Sequence, residues 1–283
     1  MKKILITGGN GLVGRYLGKS LFLKNYEFFS FGKDKLDITE KDSCFKIFKE
    51  IKPDIVIHLG ALTDVDKCEK NPNIAYKINA EGTKNISEIS AELNSFLIYL
   101  STDFVFDGKK GLPYTEKDMP NPVNVYGKSK LKGEEFVKEC RKHLIIRTSR
   151  IFGKNGRSFG CKLPEIMKEK NEVILTTDII NSPTYAFDLA DCIVKLIEKE
   201  IYGIINICNR GWCSWYEFGK KMKEILKSNI EIKGMSFDEF SKIFNIPAKR
   251  PKFSPLSTEL LSSLNIDIRS WDDAIRSFVK EFF

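Results

Sequence analysis

Short apolar runs alternate with stretches of helical spacing along the first half of the chain. Ile4 to Thr7 reads as a buried strand and Leu12 to Leu23 as a helix; Tyr26 to Phe31 predicts a second strand and Lys41 to Ile51 a second helix. Pro53 then breaks the chain before a third strand, Ile55 to Leu59. The spacing predicts a helix over Asn73 to Leu93, a strand over Phe96 to Ser101, a helix over Val125 to Lys142 and a strand over Leu144 to Thr148. Continuous apolar runs fit strands covered on both faces. Strands separated by helices imply βαβ units and a parallel sheet with helices on either side, an α/β doubly wound architecture.

After Phe152 the pattern loosens. Gly153 to Gly160 and the Pro/Lys-rich stretch Pro247 to Pro255 read as loops, Asp188 to Lys199 as an amphipathic helix and Ile204 to Cys208 as a strand. Two units follow: a sheet domain over 1–152 and a smaller C-terminal lobe over 153–283, above the carboxyl edge of the sheet. The boundary is soft, because the strand near 204–208 could rejoin the main sheet.

The first strand runs into Thr7-Gly8-Gly9-Asn10-Gly11-Leu12-Val13-Gly14. Gly9, Gly11 and Gly14 fit GxGxxG, whereas Gly8, Gly11 and Gly14 fit GxxGxxG. Between a strand and a helix, such glycines make a tight turn, let the backbone approach a pyrophosphate and let helix pack on strand. The helix N-terminus then offers free N–H groups to the phosphates, including those of Leu12 and Val13. This is the Rossmann-type dinucleotide site. The acid that would bind a ribose 2′-hydroxyl is expected at the end of the second strand, where Gly32 stands. With Lys33 beside it, the place favours a 2′-phosphate, hence NADPH over NADH; Asp34 is the competing candidate and would reverse the preference.

Tyr126 and Lys130 are four residues apart, on one face of a helix. A nearby ammonium lowers a phenol's pKa and makes it a usable acid/base for a carbonyl/alcohol pair. The fourth strand ends in Ser101-Thr102-Asp103, 24 residues before Tyr126. Ligands of open α/β sheets bind at such carboxyl ends, which sets Thr102 beside Tyr126.

These motifs resemble the extended short-chain dehydrogenases/reductases, and most closely the dTDP-4-dehydrorhamnose reductase (RmlD-type) group. Supporting runs are Leu36-Asp37-Ile38-Thr39, Pro53 to Asp66, Ile78 to Thr83, Ser101 to Gly108, Arg147-Thr148-Ser149 and Ser182-Pro183-Thr184. The resemblance implies hydride transfer to the C4 ketone of a nucleotide-linked deoxysugar, with Thr102, Tyr126 and Lys130 as the catalytic triad. It places Asp37 and Ile38 by the adenine, Ala61 and Thr63 along the dinucleotide, Asn79 behind the active-site helix, and Lys130 also on the nicotinamide ribose. Asp103, Phe104, Val105, Arg150 and Arg250 would meet the substrate, and 153–283 would be mainly a substrate-binding lobe. His58 falls in the matched stretch and is read as a packed residue at a strand end.

Two departures stand out. Phe104 replaces the group's usual Tyr, and Arg150 its usual Trp, both beside the sugar. The reaction type is therefore firmer than the sugar. A dehydratase would resemble Thr-Asp-Glu after the fourth strand, and Phe104 stands where that Glu would be. A 4-epimerase shares the Tyr and Lys, and a non-catalytic NADP-binding subunit similar to the beta subunit of methionine adenosyltransferase can retain all three; both stay open.

The composition changes little. The 283 residues carry 46 Lys and Arg against 38 Asp and Glu, net +8, but the lysines are spread over helical segments without a nucleic-acid motif. A solvated surface is the reading, with no nucleic-acid partner. No apolar run reaches the roughly 20 residues of a membrane span. Seven cysteines without a CxxC pair point to free thiols in a reducing, cytoplasmic setting. Two histidines exclude a His-rich metal site. The resemblance leaves open a homodimer with Mg2+ between protomers, though no acidic cluster for it stands out.

Overall fold

A computed structural model describes residues 2–282. Strand β1 (Lys3–Thr7) leads into α1 (Leu12–Leu23), followed by β2 (Glu27–Phe31), α2 (Lys41–Ile51) and β3 (Ile55–His58). Short helices α3 (Val65–Lys70) and α4 (Pro72–Tyr76) precede a π-helical turn (Lys77–Glu81) and α5 (Gly82–Glu92). β4 (Phe96–Thr102), α6 (Val125–Lys138) and β5 (His143–Thr148) follow. Then come β6 (Ile151–Phe152), α7 (Phe159–Glu169), β7 (Glu172–Thr176), β8 (Ile180–Asn181), β9 (Thr184–Tyr185), α8 (Ala186–Lys199) and β10 (Gly203–Asn206). The chain closes with β11 (Cys213–Ser214), α9 (Trp215–Leu226), β12 (Glu231–Met235), α10 (Phe237–Ile243), α11 (Glu259–Ser263) and α12 (Trp271–Lys280).

The central sheet has six parallel strands in the order β10-β5-β4-β3-β1-β2. Strand alternation sends Ile4 and Ile6 to one face, where they pack with Leu17 and Leu21 of α1 and Leu189 and Ile193 of α8. Leu5 faces the other way, with Phe48 of α2, Ile86 of α5 and Val137 of α6. Both faces are covered, as the continuous apolar runs require. A third cluster around Phe152, Phe218 and Phe278 holds α9 and α12 against β6.

The strand near 204 rejoins the main sheet, as the soft boundary anticipated: Gly203 to Asn206 pair in parallel with Leu144 to Arg147. The helical run expected over Asn73 to Leu93 extends from Pro72 to Glu92 with a π-helical turn at Lys77–Glu81. Two boundaries are corrected. The helix expected to reach Lys142 stops at Lys138, and the end of the expected loop 153–160 already belongs to α7. Helix α3 and the parallel pair β7–β12 were not visible in the apolar pattern.

Candidate active site

The glycine turn is built for close approach. Gly8 has φ +68, and a Cβ there would sit 2.7 Å from the Gly60 nitrogen. At Gly14 a Cβ would lie 2.4 Å from the Gly9 carbonyl oxygen, so only glycine lets α1 begin this near the turn. Gly11 is the N-cap residue of α1 and caps it without a side chain, which leaves the first N–H groups, those of Leu12 and Val13 among them, for a phosphate.

At the end of β2, Gly32 is buried, and a Cβ on it would strike the Asn10 amide 2.1 Å away. The chain thus has no acid at the usual 2′-hydroxyl position. Asp34 is drawn back toward the turn by Asn10, whose Nδ2 donates to it at 3.4 Å. Lys33 stands in solvent, 3.5 Å from Asp37. Asp37 accepts from the Thr39 backbone and hydroxyl, while Ile38 packs beneath Gly60 and Gly82.

Thr7, His58, Thr102 and Thr148 end β1, β3, β4 and β5 on the same edge of the sheet. His58 is fully buried, hydrogen-bonded to Thr7 (2.6 Å) and Thr83 (3.0 Å), and burial pushes its pKa down to about 3. It is the packed, neutral histidine that the sequence suggested.

Helix α6 delivers Tyr126 and Lys130 to this edge. Asn124 caps the helix by accepting from Gly127 N–H at 2.8 Å, and its Nδ2 donates to the Lys249 carbonyl at 2.8 Å. Glu69 accepts from Val125 N–H at 2.9 Å. Gly127 lets the helix touch the turn after β4, where a Cβ would lie 2.1 Å from the Phe104 carbonyl oxygen. Asn79 braces the helix from behind. Its Nδ2 donates to Ser129 Oγ (3.0 Å) and to the Leu62 carbonyl (3.0 Å), and its Oδ1 accepts from Leu62 N–H (2.7 Å). These bonds also shape the loop that carries Ala61 and Thr63.

The Tyr126 ring meets Phe104 edge to face at 5.9 Å, with the Thr102 side chain beside its hydroxyl. Burial raises the Tyr126 pKa well above that of a free phenol, and Thr102 opposes this only partly. The expectation that Lys130 lowers the Tyr126 pKa is not met: burial sets the direction, and Thr102 is the group that opposes it. Lys130 is buried over the Tyr99 ring, with Nζ 4.0 Å from its centroid. Burial pulls Lys130 down to about 7, and the charge of Glu134 pulls it back up.

The residues expected at the substrate divide. Asp103 is buried behind Thr102 and accepts from Ser254 at 2.6 Å and from Thr102 at 3.2 Å; burial raises its pKa to about 6 against these bonds. Phe104 faces Tyr126 as described. Val105 is corrected: its side chain is fully buried in a cluster with Phe106, Tyr114 and Leu256 and presents no surface to a ligand. Arg150 sits at φ +41, donates to the carbonyls of Cys213 (3.0 Å) and Ile179 (3.1 Å), and stacks on Trp215 at 4.1 Å. Arg250 is not a solvated loop residue. It pairs with Asp66 at 2.8 Å and donates to the Ala248 carbonyl at 2.9 Å.

The family model described as "RmlD substrate binding domain" matches residues 1–283. The chain belongs to this RmlD family. It is similar to the spore coat polysaccharide biosynthesis protein SpsK of Bacillus subtilis (35% identity, 99% of this chain and 98% of that protein). It is also similar to the dTDP-4-dehydrorhamnose reductase of Aggregatibacter actinomycetemcomitans (32% identity, 98% of each chain). Among solved structures it resembles the dTDP-4-dehydrorhamnose reductase of Bacillus anthracis in complex with NADP, with TM-score 0.94 and 38% identity over 99% of this chain and 100% of that one.

In this RmlD-family chain, three site residues escaped the sequence reading. Glu134 and Arg147 form a buried ion pair directly behind Lys130. Trp215 supplies an aromatic face against Arg150 from a distant helix. Glu134 did leave a signal, since Tyr126, Lys130 and Glu134 recur every four residues on one helix face. Among the described residues no group of three or more His, Cys, Asp or Glu side chains is placed to hold a metal ion, so the Mg2+ left open by the resemblance finds no ligand set within one chain. No helix among them is long and apolar enough to cross a membrane.

Proposed function

We propose that the protein reduces the C4 ketone of a nucleotide-linked deoxysugar, dTDP-4-dehydrorhamnose to dTDP-L-rhamnose, with NADPH as the reductant. The carrying observation is the approach of the Thr102 and Tyr126 side chains at the carboxyl end of β4, with Lys130 one helical turn along. Family membership and the names of its relatives supply the substrate class.

The glycine turn fits a dinucleotide, since Gly11 caps α1 without a side chain and leaves the first N–H groups of the helix open to a phosphate. Gly8, Gly11, Leu12, Val13 and Gly14 would hold the pyrophosphate, and Lys33 the 2′-phosphate. Asp37 and Ile38 would flank the adenine, Ala61 and Thr63 the dinucleotide bridge, and Lys130 the nicotinamide ribose. Asn79 acts through the helix and loop that it braces. When bound, the cofactor supplies hydride from nicotinamide C4.

Ketone reduction consumes a proton, and Tyr126, protonated at neutral pH, is placed to donate it. Thr102 donates a hydrogen bond to the ketone oxygen and polarises it. Hydride adds to the carbonyl carbon while Tyr126 Oη passes its proton to the oxygen. The resulting tyrosinate sits beside the Lys130 ammonium, which stabilises it. Asp103, Phe104 and Arg150 border the sugar in this reading. Arg250 reaches a diphosphate by exchanging Asp66 for it. The seven free, buried thiols suit a reducing cytoplasm.

The test is NADPH oxidation by the purified protein with dTDP-4-dehydrorhamnose, with and without Tyr126→Phe. Stoichiometric NADPH loss that the substitution abolishes supports the reading. Tightly held cofactor with no net oxidation indicates an epimerase. Dinucleotide binding without turnover on any nucleotide-linked 4-ketosugar indicates a regulatory subunit.

A further inference from the structure

Behind Lys130 lies a charged cluster that the proton relay does not use. Glu134 is 0% exposed and Arg147 1%. Arg147 Nε donates to Glu134 Oε1 at 3.0 Å and Nη2 to Oε2 at 2.7 Å. Ser101 Oγ donates to the same Oε1 at 2.6 Å. Each member adjoins a site residue. Ser101 precedes Thr102 on β4, Arg147 pairs across from Ser101 on β5, and Glu134 is one turn beyond Lys130 on α6.

Stability alone is a poor reason for this arrangement. Removing two charges from water costs several kcal/mol per ion, and apolar side chains of similar volume often do as well or better. Arg147 Nη1 is also buried without a hydrogen-bond partner, so the pair is not even fully satisfied. The cluster does, however, set a negative charge where Lys130 needs one. The other groups around the lysine carry no full negative charge: Tyr99 offers the cation–π attraction of its ring face, His58 is neutral, and Tyr126 holds its proton. Asp103 lies against Thr102 and Ser254, and Glu134 is the one carboxylate that favours the charged form of Lys130.

We propose that Glu134, clamped by Arg147 and Ser101, is a positioning residue of the reaction: it fixes α6 on the sheet and keeps Lys130 an ammonium beside Tyr126. Burial pulls the lysine toward the neutral amine, which gives a nascent tyrosinate no countercharge, and the Glu134 carboxylate opposes that pull. The inference rests on the reductase reading only for its kinetic arm.

Two variants separate charge from packing. Glu134→Gln removes the carboxylate but strands the Arg147 guanidinium. Glu134→Met with Arg147→Met refills the clamp with apolar side chains and remains foldable where the single change is not. Lys130 is followed by the pH titration of its 15N-labelled Nζ resonance, which needs neither cofactor nor substrate. The Lys130 midpoint is expected to fall by about one pH unit in either folded variant, a tenfold loss of ammonium on the alkaline side. The alkaline limb of kcat/KM shifts down in parallel, with little change in KM for NADPH. An unchanged Lys130 midpoint in the folded double variant overturns the proposal, whatever the activity. A wild-type protein that reduces no 4-ketosugar counts against the reductase reading alone.

Discussion

Asn79 Nδ2 donates to Ser129 Oγ across 3.0 Å, joining the π-helical turn to the helix that carries Tyr126 and Lys130. Single π-helical turns inside helices often mark functional sites, and here the turn delivers a buried amide to two partners at once. Asn79→Ala deletes three hydrogen bonds and leaves the Leu62 N–H without its partner, while the Leu62 carbonyl keeps only the weak Cys68 thiol donor. The expected cost is about 2–4 kcal/mol of stability. In urea melts this appears as a lower midpoint with unchanged slope. Activity is expected to fall further than stability explains at a temperature where the variant is folded, because α6 loses its brace.

Cofactor preference rests on the end of β2. Gly32 stands where the acid would be, and Lys33, exposed and 3.5 Å from Asp37, is placed to meet a 2′-phosphate. Lys33→Glu replaces attraction with repulsion. The ratio of kcat/KM for NADPH over NADH is expected to drop by about tenfold or more, equivalent to roughly 1.4 kcal/mol. An unchanged ratio would move the selectivity to another residue.

Asp103 predicts a pH-dependent stability. Its folded pKa, about 6, lies above the ordinary carboxylate value of 3.8. The folded state therefore holds this proton more tightly than the unfolded chain does. The stabilisation is fully present below the unfolded value and is lost as pH rises through about 6. Asp103→Asn removes this loss. Thermal melts are expected to show the variant gaining on the wild type between pH 4 and pH 7, by on the order of 2 kcal/mol. A constant difference across that range would show that Asp103 does not titrate there.

Much of the site was legible because its signals are local. The glycine turn lies between a strand and a helix, and Tyr126 and Lys130 share one helix face, so neighbouring residues carry the information. What stayed hidden depends on distant partners. Glu134 reads as one acid among many on a polar helix until Arg147 and Ser101 close on it from the sheet. Arg150 reads as a cation at the substrate, yet its guanidinium is occupied by carbonyls of Cys213 and Ile179 and by Trp215. Val105 lies in a matched motif, but burial withdraws its side chain. The π-helical turn between α4 and α5 was hidden because the helical spacing runs through it unbroken.

The central claim is hydride transfer to a sugar ketone with Tyr126 as the proton donor. The most direct measurement supplies NADPH carrying deuterium in the transferable position at nicotinamide C4, with dTDP-4-dehydrorhamnose, and locates the label in the product. The account predicts deuterium at C4 of the sugar, one per NADPH oxidised, with a rate that falls by about 10²–10⁴-fold in Tyr126→Phe. Label that stays on the cofactor, or full-rate transfer by Tyr126→Phe, would contradict it.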